Sequence, residues 1–329
     1  MDTNSPGQQS PKPSLLLSDQ QNFVGSVLAV LGRTVLFLVA ATSIFAVILI
    51  FAFIIREALP FFFEGESFWT SLAHAWQRVQ QLFGSTNWDS THGKFGALTL
   101  LAGSLYVTAI ALIVAVPISL LAAMCLSDIF PFWLRQIVKP IVELLAAIPS
   151  VAYGFFALLV FAPLLQEWGL TTGTNALNAG LILGVMAVPT ILSVSEDSLT
   201  SVGSELRQGA YALGSTRAET LCLVVVPAAK RGILAAVILG LMRAIGETMV
   251  VWMASGNATQ IPHPWWDLSQ SIRTMTATVA GEMGETARNT THYHALFAVG
   301  FLLLLFTFLL NLMTELLVGR KGHQGGSKT

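Results

Sequence analysis

The chain has 329 residues, of which 54% are hydrophobic and 11% charged, with a net charge of −1. A soluble domain carries about 25% charged residues, so this composition excludes an all-round water-facing surface and suits one facing lipid. No basic patch of the kind nucleic acid requires is present.

Residues 1–33 form a polar N-terminal segment. The first 22 are rich in Pro, Ser and Gln and lack a basic run before a short apolar core, so no cleavable signal peptide is expected. A helix needs about 20 apolar residues to cross the hydrocarbon core. Six stretches qualify: Thr34 to Ile55, Phe95 to Ser127, Pro140 to Phe161, Ala176 to Ser195, Ile233 to Ala254 and Ala295 to Thr314. They are continuously apolar rather than alternating, which argues for helices over barrel strands. The predicted fold class is an all-α membrane protein with six transmembrane helices occupying 34–318, followed by a tail at 319–329.

The distribution of Lys and Arg sets the orientation. With the N-terminus inside, the cytoplasmic side holds Lys12, Arg33, Arg135, Lys139, Arg207, Arg217, Lys230, Arg231, Arg320, Lys321 and Lys328. The other side holds Arg56, Arg78, Lys94, Arg273 and Arg288. This predicts N-in/C-in.

Two loops are then external. The first, 56–94, carries Phe61, Phe62, Phe63, Trp69, Trp76 and Trp88, and the second, 256–294, carries Trp265 and Trp266. These aromatics read as a headgroup-level belt or as a platform for an external partner. His292 and His294 fall in the second loop and are expected to be solvated. No metal-ligand spacing is present. Cys125 and Cys222 lie near cytoplasmic ends of spans and read as reduced, small apolar fillers.

Between the fourth and fifth spans lies a polar loop, 197–231, with local signals for two short helices. Glu205 to Leu213 favours helix, and Gly214 supplies a left-handed cap. Thr216-Arg217-Ala218-Glu219 has the form of a capping box opening a second helix. Pro227 is expected to end the unit or to kink the start of the next span. The run Gln208-Gly209-Ala210, Gly214, Val224, Val226, Pro227 resembles the "EAA" loop of ABC importer permeases. Gln208 stands where that pattern has glutamate, and Glu205 lies one turn earlier. The resemblance implies a helix pair seated in a groove of an ATP-hydrolysing subunit.

Further stretches narrow the likeness. Trp88-Asp89, Phe95 to Leu98, Glu143 to Gly154 and Gly240 to Met249 resemble permeases of phosphate importers of the PstC type, to which the PstA type is related. That likeness implies a PstA-type second permease, two copies of an ABC ATPase, a phosphate-binding protein outside, and ATP and Mg held by the ATPase alone. This chain has no Gly-x-x-x-x-Gly-Lys-Ser/Thr loop, so it is read as a non-catalytic subunit without a cofactor of its own. Import of sulfate, molybdate or another oxyanion remains open, as does an ATPase-independent transporter or channel.

Ionisable groups inside a span are costly and mark cavities or partners. Arg243 and Glu247, four residues apart, are expected to share a helix face, either as a self-neutralising pair or as a permeation site. Pro149 and Pro189 interrupt the third and fourth spans, and Ile148-Pro149-Ser150 is a second candidate lining of the pathway, with the Ser150 hydroxyl meeting the anion. Glu282 and Glu285 are expected to point outward.

Overall fold

A computed structural model of the protein describes residues 19–63 and 68–318. The polar segment up to residue 18, the tail 319–329 and the basic residues Lys12, Arg320, Lys321 and Lys328 lie outside the described residues, as does the side chain of Trp69. The chain forms two units, one ending at Phe53 and the other starting at Ile54.

Helix α1 runs Asp19–Phe62. In the first unit it exposes Leu36, Phe37, Ile44 and Phe45. A helix apolar all round requires an apolar surrounding.

The second unit begins with the end of α1 and continues through α2 (Phe68–Gly84) and a short antiparallel hairpin, β1 (Trp88–Asp89) with β2 (Lys94–Phe95). Helix α3 (Leu98–Met124) follows, then α4 (Phe132–Ala147), α5 (Ser150–Phe156) and α6 (Ala162–Glu167). Next come α7 (Ala176–Thr200), α8 (Ser204–Ala212), α9 (Arg217–Thr220) and α10 (Val226–Gly246). The chain continues with α11 (Met249–Ala254), α12 (Met275–Glu282) and α13 (Thr291–Val318).

Six helical stretches are long and apolar enough to cross a membrane: Ala29–Phe62, Leu98–Ile129, Ser150–Glu167, Ala176–Thr200, Arg217–Gly246 and Thr291–Leu316. The number agrees with the sequence, but the bounds of the third and fifth spans do not, and the fifth already starts at Arg217 rather than at Ile233. The third span does not start at Pro140. The helix stops at Ala147, Ile148 and Pro149 are extended, and a new helix starts at Ser150. A residue preceding proline is pushed out of the helical region, so the apolar run there is two helices rather than one. The fifth span ends at Gly246 instead of continuing to Ala254.

The centre of the second unit is α3 against α7. Gly180 and Gly184 on α7 face Ile110 and Ala111 so closely that a Cβ would clash at Gly180 and crowd at Gly184. Small residues spaced by four let membrane helices approach for dispersion contact. The apolar core there includes Val107, Ile110, Leu183, Met186, Val250 and Ile272.

Among the described residues, three π turns interrupt the helices, at Cys125–Ile129, Ala157–Phe161 and Leu221–Val225. Each is followed two residues later by a proline: Pro131, Pro163 and Pro227. Proline lacks an N–H and its ring crowds the carbonyl four residues back. A π turn widens the backbone just before it. Pro227 therefore does not end the helix that begins at Arg217, because it sits in the first turn of α10.

Candidate functional site

The helix pair α8–α9 closes as its sequence predicts. Gly214 adopts φ +87°. Ser215 N–H donates to Ala210 O (3.2 Å) and Gly214 N–H to Tyr211 O (3.0 Å), a Schellman closure. The capping box is complete: Glu219 N–H donates to Thr216 Oγ1 (3.3 Å), and Thr216 N–H to Glu219 Oε2 (2.8 Å). Glu205, Gln208 and Gly209 are exposed, and Ala210 is buried. The pair also presents three apolar side chains the sequence reading did not single out. Leu206 and Tyr211 are about half exposed, and Leu213, at the apex, is 89% exposed. Such bare apolar residues at a tight turn are a partner-facing feature. The signal was available in the sequence as a leucine immediately before the capping glycine.

Ion pairs fasten this face. Glu196, near the end of α7 and 1% exposed, is bound by Arg135 and by Lys139 (2.7 Å), both from α4. Lys139 also reaches Asp197 (3.2 Å). Arg207 of α8 is paired with Asp128. Removing a buried partner costs more than the pair contributes, but Arg135 and Lys139 are about one-third exposed and regain water. Glu196→Ala should therefore destabilise the subunit by about 1–3 kcal/mol and Glu196→Gln by less, read as thermal unfolding midpoints in detergent. Coincident midpoints for wild type and Glu196→Ala would contradict this. Both cysteines are free; Cys222 is exposed, so it does not serve as a filler, and Cys125 is partly buried.

The candidate pathway residues lie at two helix breaks. Pro149 caps α5 and Ser150 begins it. The carbonyl of Leu145, four residues before Pro149, accepts from Ile148 N–H (3.4 Å) and from Tyr153 Oη (2.9 Å), which spans the break. Helix α11 packs on α5, and Gly154 leaves room for Met253 and the Met249 carbonyl. Tyr153 lies within electrostatic reach of Arg243. The two breaks thus belong to one neighbourhood.

Arg243 and Glu247 do not form the helical pair expected from their spacing. The helix ends at Gly246, and the Glu247 N–H reaches Ala244 O (3.4 Å) rather than the Arg243 carbonyl, so the regular i, i+4 turn is not closed there. Arg243 Nη1 instead donates to Thr190 Oγ1 (3.0 Å), next to Pro189 on α7. No ion pair joins Arg243 and Glu247 among the described residues. The Glu247 carbonyl accepts from Thr276 Oγ1 of α12 (2.8 Å). Ser104, Thr108, Thr274, Thr276 and Glu247 line a small cavity behind the break. Breaks between helices that leave backbone groups and a charged side chain together are a recurrent way to build an ion site in transporters.

On the opposite face, Glu282 does not point outward. Its carboxylate is bound by Arg273 Nη1 (2.6 Å), His292 Nε2 (2.7 Å) and Trp88 Nε1 (3.0 Å). Glu285 is exposed, as expected. His292 stacks on Phe95 rather than standing in solvent. Phe61 and Trp88 are core residues with Phe95, whereas Trp76, Trp265 and Trp266 remain exposed. Hydrogen bonds from Thr91 and His92 hold the Asp89 carboxyl well below the usual carboxylate range.

Six apolar spans, helix breaks where the third begins and where the fifth ends beside an arginine, and a capped helix pair between the fourth and fifth define a multi-spanning permease subunit. Residues 115–323 match the family model described as "Binding-protein-dependent transport system inner membrane component". The chain belongs to that family. It is 36% identical to the "Probable ABC transporter permease protein YqgH" of Bacillus subtilis over 240 residues, covering 72% of this chain and 77% of that one. It is 34% identical to the "Phosphate transport system permease protein PstC" of Haemophilus influenzae over 276 residues, covering 77% and 86%. Among solved structures, the fold resembles a bacterial alginate ABC transporter bound to its periplasmic protein (TM-score 0.55, 13% identity, 92% and 96% covered). It also resembles the inward-facing MetNI methionine ABC transporter (TM-score 0.53, 18% identity, 68% and 95% covered).

Proposed function

We propose that this chain is a membrane-spanning permease subunit of an ATP-driven importer that moves inorganic phosphate received from an extracytoplasmic binding protein. The observation that carries this reading is the α8–α9 pair, capped on both sides of its turn at Gly214 and exposing Leu213, while Arg207 ion-pairs α8 to the end of the second span. Such an element suits docking to an ATP-hydrolysing subunit. The substrate rests on relatives named as phosphate transport permeases and on Arg243, whose guanidinium suits a tetrahedral oxyanion. The helix pair then lies in the cytoplasm, with both termini on that side. A PstA-type permease completes the pathway, two ATPase copies dock below, and ATP and Mg bind there. The pathway lining in this chain is Arg243 and Glu247 with Pro149 and Ser150, and the coupling loop acts through Glu205, Gln208, Gly209, Ala210, Gly214, Glu219 and Pro227.

Co-purification and reconstitution test this. An ATPase and a second permease should accompany the chain, and phosphate should stimulate hydrolysis only with the binding protein present. Flux through the chain alone would establish an autonomous transporter or channel. Competition by sulfate or molybdate, but not by phosphate, would change the substrate.

A further inference from the structure

Beyond its packing against α9 and the π turn Leu221–Val225, the coupling helix α8 is attached to the rest of the subunit by very little. Of its residues, only Arg207 and Ala210 are not exposed. They lie three apart and so share one face. Ala210 offers a methyl group; Arg207 offers a guanidinium that reaches three places. Its Nη1 pairs with Asp128 in the π turn that closes α3. Its Nη2 donates to Leu199 O near the end of α7 (2.7 Å). Its Nε donates to Val202 O in the link after α7 (3.4 Å). The side chain is only 17% exposed, so these contacts are shielded from salt and water.

We propose that Arg207 is the positioning residue that converts displacement of the coupling helix into displacement of α3 and α7, with Asp128 as its counterpart. The proposal rests on the coupling role given above. A guanidinium is suited to this because its planar fork bonds in several directions at once. The link 201–203 is short and only partly packed: Val202 lies against the cluster of Leu126, Leu199 and Val225, while Ser201 and Gly203 are exposed. The pin therefore transmits motion from α8 to the two helices that form the centre of the packing. Since α7 also carries Thr190, the partner of Arg243, the displacement reaches the break in α10 directly.

The test uses the assembled importer in proteoliposomes. Arg207→Met should leave co-purification and ATP hydrolysis near wild type while lowering phosphate moved per ATP by about tenfold, within the usual range of coupling between sites. Arg207→Lys should fall between, because an ammonium keeps the charge without the fork. Asp128→Asn is the milder variant should Arg207→Met fail to assemble, and it should lower the same ratio. A wild-type ratio in every assembled variant would overturn the proposal. A second readout is independent of substrate. Spin labels at Ala212→Cys on α8 and Ile129→Cys in the π turn that closes α3, both exposed, with Cys125 and Cys222 replaced by serine, should keep a narrow distance through the ATP cycle. That distance should broaden in Arg207→Met, and an unchanged narrow distance would also overturn the proposal. A wild-type importer that hydrolyses ATP without moving phosphate would instead count against the substrate, leaving the label distances to decide the pin.

Discussion

Replacing Arg243 with alanine should abolish ATP-driven phosphate uptake while the subunit still assembles and its partners still hydrolyse ATP. Arg243 uses one donor on Thr190 (3.0 Å). A guanidinium has five N–H donors, so most of its hydrogen-bonding capacity is left for an anion at the break in α10. Hydrogen bonds to charged groups contribute about 1.5–3 kcal/mol each, and losing two amounts to about 100-fold or more. Arg243→Lys keeps the charge but not the bidentate fork and should retain intermediate uptake. Labelled-phosphate uptake into proteoliposomes with the ATPase and binding protein measures this. Uptake at the wild-type rate in Arg243→Ala would remove the arginine from the pathway and leave it as a packing residue.

The second large effect is expected at Leu213. Leu213→Asp should release the ATPase from the purified complex and so eliminate uptake, without altering the subunit's own thermal unfolding. The side chain caps α8 with the backbone near φ −83°, ψ 3°. Aspartate adopts that conformation readily, and a side chain 89% exposed has little native packing to lose. An apolar anchor entering a partner's groove contributes about 2 kcal/mol or more when it is a hot spot, and a carboxylate there adds a desolvation cost. Retention of the ATPase by Leu213→Asp in a size-exclusion profile would show that the helix pair docks through other residues.

Features that depend on nearest neighbours were readable in the sequence. Gly214, Thr216 and Glu219 act within one turn, so their chemistry determines the local backbone whatever surrounds it. The six apolar stretches were equally readable, since length and hydropathy suffice. What escaped was where an apolar run is interrupted. Hydropathy is blind to a break with apolar residues on both sides, as at Ile148-Pro149, and the proline indicated a kink without marking a new span start. The break at Gly246-Glu247-Thr248 contains no proline. It is supported across sequence by Thr276, a contact that no local pattern contains. The same limit applies to Glu282, whose partners Trp88, Arg273 and His292 come from three separate segments. A carboxylate in a polar stretch reads as solvated until those segments are brought together.

The π turn Leu221–Val225 has a geometric consequence for the transport site. A π turn is one residue more than an α-helix needs, and each residue rotates a helix by about 100°. The π turn absorbs its extra residue within one wider turn, so the helix after it keeps the phase of a plain α-helix. Removing one residue from Leu221–Val225 would restore α geometry and leave the azimuth of Arg243 nearly unchanged. Removing one residue between Val226 and Arg243 would instead rotate the guanidinium by about 100° away from Thr190. The helix thus has one turn that can take up a change in length and a following stretch that cannot.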